Sequence, residues 1–310
     1  MKSMLVNKIF YKIKPAIPRW FQIFLRRQMA LYQRKKYIHI WPIDPAAGSP
    51  PKGWQGWPDK RKFALVITHD ADTQKGHDRC YKLMEIEEGL GFRSVFNFVP
   101  ERYNVSENLR NDLIKRGFEV GVHGLNHDGK LFNNREVFNE RAIKINQYLK
   151  DWGAVGFRSP AMHHNLDWNH YLNIEYDAST FDTDPFEPQS DGVGTIFPFW
   201  VRDKTTQNGY IEIPYTLCQD FTLFIILKEN GIDIWKKKLD WIVENRGMAL
   251  INIHPDYIQF PEERASRELY PVELYIEFLE YVKSRYDGQY WQVLAKDLAN
   301  YYITHFRGRL

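Results

Sequence analysis

The chain has 310 residues, enough for one large domain or two ordinary ones, and its 44% apolar and 26% charged residues are the proportions of a soluble globular protein. No run reaches the roughly 18 apolar residues that span a bilayer. With only Cys80 and Cys218, a disulfide framework is not expected, and free thiols in a reducing, cytoplasmic compartment are. The formal net charge of +3 hides an asymmetry: residues 1–40 hold ten Lys/Arg and no Asp/Glu, so the remaining 270 carry −7, unlike a uniformly basic, nucleic-acid-like surface.

The segment Met1–Pro18 scatters Lys2, Lys8, Lys12 and Lys14 and lacks a continuous apolar core, so it reads as a poor secretion signal. From Arg19 to Arg34 the spacing predicts an amphipathic helix. Trp20, Phe21, Phe24, Leu25, Met29, Leu31 and Tyr32 share one face, while Arg19, Arg26, Arg27, Gln33 and Arg34 share the other, with Ile23 misplaced among them. Such a helix either packs its apolar face on the following domain or lies on an anionic membrane, which makes residues 18–36 a candidate for peripheral contact with the inner membrane face. Residues 41–60, rich in Pro and Gly, read as an extended connector. The division expected is therefore a basic extension and linker over 1–60 and a catalytic unit over 61–310.

After residue 60 strands and helices alternate. Strands are predicted at Phe63–Thr68, Arg93–Val99, Glu119–His123, Ala154–Arg158, Tyr176–Thr180, Tyr210–Thr216 and Met248–His254. Helices are predicted at His77–Leu90, Ser106–Arg116, Asn134–Trp152, Ile232–Glu244, Val272–Arg285 and Leu294–Phe306. This alternation gives parallel strands wrapped by helices, and seven strands favour a closed or nearly closed barrel. The ten Trp are expected to fill the core rather than stack on sugars.

Chemistry in such folds sits at the carboxyl ends of strands. Thr68-His69-Asp70-Ala71-Asp72 ends the first strand and His123-Gly124-Leu125-Asn126-His127 the third. Two imidazoles and one carboxylate leave a divalent ion with an open position for water, and zinc can lower that water's pKa from 15.7 to about 7. The second Asp of the pair is then available as a base. Arg158, at the end of the fourth strand, suits a carboxylate partner, with Asp70 the obvious one. His254 follows a buried strand and can protonate a leaving amine if a carboxylate tunes it.

In order and spacing, this set resembles the polysaccharide deacetylase superfamily (NodB homology, carbohydrate esterase family 4) over roughly residues 62–300. The Asp-x-Asp form resembles a branch with peptidoglycan deacetylase-like and allantoinase-like members. The resemblance implies a distorted (β/α)7 barrel with an N-terminal amphipathic helical extension. It makes Asp70 the base and Asp72, His123 and His127 the ligands of one divalent ion, expected to be zinc, with cobalt, nickel or manganese as alternatives. Arg158 would orient the base, the Ala161 backbone N–H would face the oxyanion, and His254 would be the acid. Asp182 or Asp184 would pair with His254, Asp182 being preferred. Gly124 stands where the family has Ser or Thr, and Asn252 where it has an apolar residue lining the acyl pocket. Asn252, His163, His164 and Asp184 are the candidate substrate contacts.

The function expected is metal-dependent removal of an N-acyl group, acetyl in the first instance, from an amino sugar of a glycan. Two alternatives stand beside it: hydrolysis of a non-sugar amide such as a cyclic ureide, and a non-catalytic glycan-binding or membrane-associated scaffold.

Overall fold

All nine residues of strand β1 (Phe63–Ala71) are buried. That is what a parallel strand covered on both faces by helices requires, and it explains why Phe63–Ile67 shows no polar alternation. The computed structural model describes residues 18–306 except 204, 205 and 207; the segment 1–17, read above as a poor secretion signal, lies outside the described residues. Strands β2 (Val95–Phe98), β3 (Glu119–His123), β4 (Gly156–Arg158), β5 (Tyr176–Asp177), β6 (Phe199–Arg202), β7 (Gly209–Glu212) and β8 (Met248–Ile253) follow, then β9 (Ile258–Gln259), β10 (Tyr270–Pro271) and β11 (Tyr290–Gln292).

β8 runs along one side of β1. On the other side β11 pairs with Phe63–Leu65 and β2 with Thr68–Ala71. The sheet continues in parallel through β3, β4 and β5 to β7, with β6 antiparallel at the far edge. Its two ends approach without a regular ladder: the N–H groups of Thr216 and Leu217 both donate to the Leu250 carbonyl at 3.1 Å, and Thr216 Oγ1 donates to Met248 O. The result is a distorted β/α barrel, as expected. The seven expected strands are present, and β6, β9, β10 and β11 are additional to them.

The helices are α1 (Arg19–Lys36), α2 (Gln74–Leu90), α3 (Glu107–Lys115), α4 (Arg135–Trp152), α5 (Asp233–Glu244), α6 (Val272–Tyr286) and α7 (Ala295–Phe306), besides a single turn at Leu166–Asn169. Their ends follow local chemistry. Ser106 and Asn134 accept from the third N–H of α3 and α4, and Gly91 and Gly153 end α2 and α4 in the left-handed conformation. A further segment, Phe221–Leu227, forms a π-helical turn, entirely buried. Among the described residues no helix is long and apolar enough to cross a membrane.

The connector 41–60 is packed against the barrel rather than extended away from it. Trp41, Ala47 and Trp57 are buried in the main core, and Trp57 Nε1 donates to the carbonyls of Arg246 and Gly247. Trp54 and Trp57 stack or meet edge-on with Phe197 and Phe306, so these tryptophans fill the core, as expected.

Candidate active site

Side chains alternate along a strand, so β1 turns Thr68 and Asp70 to one face and His69 to the other. The outward His69 is structural: its Nε2 lies 2.6 Å from Glu87 Oε1, and Glu87 also accepts from Ser94 and Tyr275. The inward face meets matching positions of its neighbours. Register sets Asn97 beside Asp70, Asn252 beside Thr68, Gly121 beside Asn97 and Arg158 beside His123. A Cβ on Gly121 would sit 2.1 Å from Asn97 Oδ1, so glycine there makes room for the amide.

The layer so formed fixes Asp70 from both oxygens. Asn97 Nδ2 donates to Oδ1 at 2.9 Å, the Arg158 guanidinium approaches Oδ1 at 3.3 Å, and Asn252 Nδ2 donates to Oδ2 at 2.8 Å. Arg158 is fully buried and also bonds Thr68 Oγ1, Asn252 Oδ1 and the Ala178 carbonyl. Burial pushes the Asp70 carboxyl up, but Arg158, with His123 and His254, outweighs it and holds the group well below the usual carboxylate range.

Asp72, one strand step further on, meets His123 at the end of β3 and His127 in the loop after it. Its Oδ1 lies 3.4 Å from His123 Nε2 and 2.9 Å from His127 Nε2. His123 Nδ1 lies 3.0 Å from the Arg158 carbonyl, which can only accept, so the proton belongs on Nδ1 and Nε2 presents a lone pair. Asp72 Oδ1 is itself buried without a hydrogen-bond donor. Three acceptor atoms within 4.8 Å of one another, one of them orphaned, fit a divalent cation. The loop is tied down behind: Asp72 N–H donates to Asp256 Oδ2 at 2.8 Å, Thr73 Oγ1 bonds the same carboxylate, and Gly76 leaves the space Asp256 occupies.

Gly124 has φ +61°, and a Cβ there would lie 2.5 Å from Pro160 Cδ. Pro160 packs directly on this backbone, so a side chain at 124 would force one of the two to shift. Pro160 opens the tight turn in which Ala161 and Met162 also take positive φ, and Ala161 borders the cavity above Asp70 and Asp72. Positive φ at a non-glycine residue is a cost that functional sites commonly carry.

His254 closes β8. Its Nδ1 lies 2.7 Å from Asp220 Oδ1 and its backbone N–H donates to Asp220 Oδ2. Asp220 also accepts from Phe221 N–H and Tyr270 OH. Burial pulls His254 down, but the charge and hydrogen bond of Asp220, with Asp72 and Asp70 beyond, raise it to about 10.

Four expected roles are corrected. Asp182 does not pair with His254: its carboxylate meets Lys238 of α5 at 2.5 Å, and the partner of His254 is Asp220. Asp184 accepts from Tyr215 OH and Phe186 N–H, away from the cavity. Asn252 lies beneath Asp70 because β8 alternation turns it to the polar layer, so it lines no acyl pocket. His163 and His164 stand off the cavity wall; His164 Nδ1 lies 2.9 Å from the Met162 carbonyl and its N–H donates to Gln189. The sequence reading missed Asn97 and Asp220. A lone amide in the apolar strand Val95–Phe98 signals the first; a lone acid preceding Phe221–Leu227 signals the second.

The cavity over these groups measures about 950 Å³. Its floor is Asp70, Asp72, His123, His127 and His254, and one wall carries Glu187 and Gln219. Tyr257, Phe186 and Phe221 are its aromatic residues, and no tryptophan borders it among the described residues. Its roof is α1. This helix lays its polar face on the barrel: Arg27 donates to the Ile226 and Leu227 carbonyls, Arg34 pairs with Glu229 at 2.5 Å, and Ile23, which looked misplaced, packs against the core. Of the two placements left open for this helix, packing by the apolar face is not the one seen.

No protein-family model and no curated protein matches the chain. Solved structures do. A structure titled Puue allantoinase superposes with a TM-score of 0.65 at 15% identity, covering 86% of this chain and 99% of its own. One described as a probable polysaccharide deacetylase from Pseudomonas aeruginosa PAO1 does so with 0.64 at 14% identity, covering 81% and 94%. At these identities the likeness concerns architecture, and the chain therefore has the barrel fold shared by a polysaccharide deacetylase and an allantoinase.

Proposed function

We propose that the protein is a metal-dependent hydrolase that removes an N-acyl group, acetyl first, from an amino sugar of a polysaccharide or glycan precursor. In this reading the barrel over 61–310 does the chemistry, and α1 and the connector 41–60 cover and brace it. Asp72, His123 and His127 hold one divalent ion, zinc or else cobalt, nickel or manganese, which when bound supplies Lewis acidity and an acidified water. Asp70 accepts a proton from the attacking water; Asn97, Asn252 and Arg158 keep it ionised and aim its lone pair. The water oxygen joins the acyl carbon while the Ala161 N–H donates to the carbonyl oxygen as it gains charge. His254, held by Asp220 and protonated below about pH 10, donates to the departing nitrogen as the C–N bond breaks. A free amino sugar and acetate result.

The observation that carries this reading is the convergence, on one cavity floor, of three facing acceptor atoms, a locked carboxylate and a carboxylate-paired histidine. The ureide alternative drew on Asn252, which faces Asp70 instead of the cavity, and on the Asp-x-Asp form. A volume near 950 Å³ is at the upper end of ligand pockets, roughly 300–1,000 Å³, and favours a sugar with its neighbours over a small ring. Two buried cysteines without a disulfide support placing the protein in a reducing compartment, here the cytoplasm.

The test is acetate release from N-acetylhexosamine oligosaccharides by the metal-loaded full chain, with no turnover of cyclic ureides. Asp72→Ala and His127→Ala should each lose bound metal and at least about a thousandfold in activity. Full metal content and activity in either variant would overturn the ligand assignment. A metal-loaded wild type inert on a broad panel of N-acylated glycans would favour the scaffold.

A further inference from the structure

The roof helix is amphipathic in the opposite sense to an ordinary surface helix, which buries its apolar stripe. Ala30 is its one buried residue among those described, and its inward arc carries arginines. Outward stand Trp20 at 67% exposure, Phe21 at 37%, Phe24 at 48%, Met29 at 61% and Tyr32 at 68%. A row of large apolar side chains kept in water while polar ones are turned inward marks an interaction surface.

We propose that α1 seats the protein on an anionic lipid bilayer by this apolar face and holds the cavity mouth at the lipid–water interface. The substrate is then the N-acylated sugar headgroup of a lipid, a clause that rests on the amide-hydrolysis reading above. Charge complementarity selects the occupant. Lys35 and Lys36 are exposed at the end of the helix, the sequence ahead of it adds Lys2, Lys8, Lys12 and Lys14, and residues 1–40 hold no acid. A second copy would set those charges against their own kind, whereas anionic headgroups neutralise them. Aromatic residues such as Trp20 and Tyr32 also suit the headgroup level. Leu25 and Met29 belong both to the exposed face and to the cavity wall. A lipid tail leaving the cavity would therefore pass over these two side chains into the bilayer, with its headgroup still below, near Asp70 and His254.

The experiment is co-sedimentation of the full chain with phosphatidylcholine vesicles with and without phosphatidylglycerol, at low and high salt. A Phe21→Ser/Phe24→Ser variant, altered where the helix faces solvent, runs in parallel. The wild type should bind the anionic vesicles more strongly and release with salt, and the variant should bind at least about tenfold less. Activity is read on a methyl glycoside of N-acetylglucosamine and on an N-acetylglucosaminyl glycolipid embedded in the same vesicles. The variant should match the wild type on the soluble glycoside and lose at least about tenfold in kcat/KM on the embedded one. Failure of the wild type to sediment with anionic vesicles, or equal binding by the variant, overturns the docking. A wild-type dimer that becomes monomeric in the variant, with no vesicle binding, overturns it in favour of a second copy. Vesicle binding with neither glycoside cleaved overturns the chemical reading and the headgroup clause with it, while the docking is upheld.

Discussion

The floor of the cavity and its roof are built on opposite plans. On the floor, both Asp70 oxygens are bonded, Asp220 accepts from four groups, and Asp72 is braced by Asp256 before any substrate arrives. The roof is held by a few long cationic side chains reaching from α1 to carbonyls and surface acids, such as Arg27 to Ile226 and Leu227 and Arg34 to Glu229. The floor spends its polar groups on preorganisation, which fixes reacting geometry. The roof uses them as attachments that can be exchanged with water. Chemistry and access are thereby separated, and substitutions should divide the same way.

The largest effect expected on the floor is at Asp220. Asp220→Asn keeps the shape but removes the charge that raises His254, and kcat should fall by about 10³–10⁴ at neutral pH with metal content unchanged. The sign follows from the raised value: His254 supplies its proton below about 10 and loses it above, so the wild-type alkaline limb lies near pH 10 and should move towards 6.5 in the variant. The same raised value makes the ion pair's contribution to stability fully present below pH 6.5 and lost as pH rises through about 10. A pH–rate profile with an unmoved limb would disprove the pairing's role.

Next comes Asp182, which the sequence had offered to the active site, with its partner Lys238. Both groups are buried, and burial pushes Asp182 up to about 6 against the pull of Lys238. Lys238→Met leaves a buried carboxylate alone and should cost about 3–5 kcal/mol in a denaturant melt, with kcat of the folded enzyme unchanged. A kcat loss in place of the stability loss would return Asp182 to the catalytic floor.

Asn97→Leu removes one of three donors to Asp70 and should lower kcat/KM by about 10–100-fold while metal binding persists. The smallest effect is expected on the roof. Arg27→Ala should cost about 1–2 kcal/mol locally, seen as faster amide exchange over residues 19–36 with the global melt unchanged. A global melt shifted as much as the local exchange would show that roof and floor are one cooperative unit.

Much of the floor was legible in the sequence because strand ends are. The apolar runs at 63–67 and 248–251 announce buried parallel strands, and whatever follows them must stand on the barrel's carboxyl face, which is how Asp70, Asp72, His123, Arg158 and His254 could be grouped. Of the partnerships across the barrel, Asp70 with Arg158 was legible and Asp220 with His254 was not. Asp220 lies at the head of a π-helical turn whose residues are all buried, so its segment has no 3.6-residue stripe that would mark it as an element. Asn252 was assigned to the cavity because its position was known and its strand face was not; the pairing of Thr68 with Asn252 decides the face. For α1 the two faces are legible in the sequence but not which one turns inward, since a stripe of arginines finds partners only once the Ile226 and Leu227 carbonyls are in place.

The contact between Gly124 and Pro160 joins two parts of the floor that share no hydrogen bond through it. The first follows directly on His123, one of the three facing acceptors; the second carries the Ala161 turn. Because one bare backbone lies against one proline ring, the span between His123 and the Ala161 turn is set by van der Waals touch, much as a shim sets the gap of a jaw. Any side chain introduced at 124 would widen that gap before it made a bond of its own. A side chain at 124 would therefore reset the spacing of His123 and the Ala161 turn across the cavity floor.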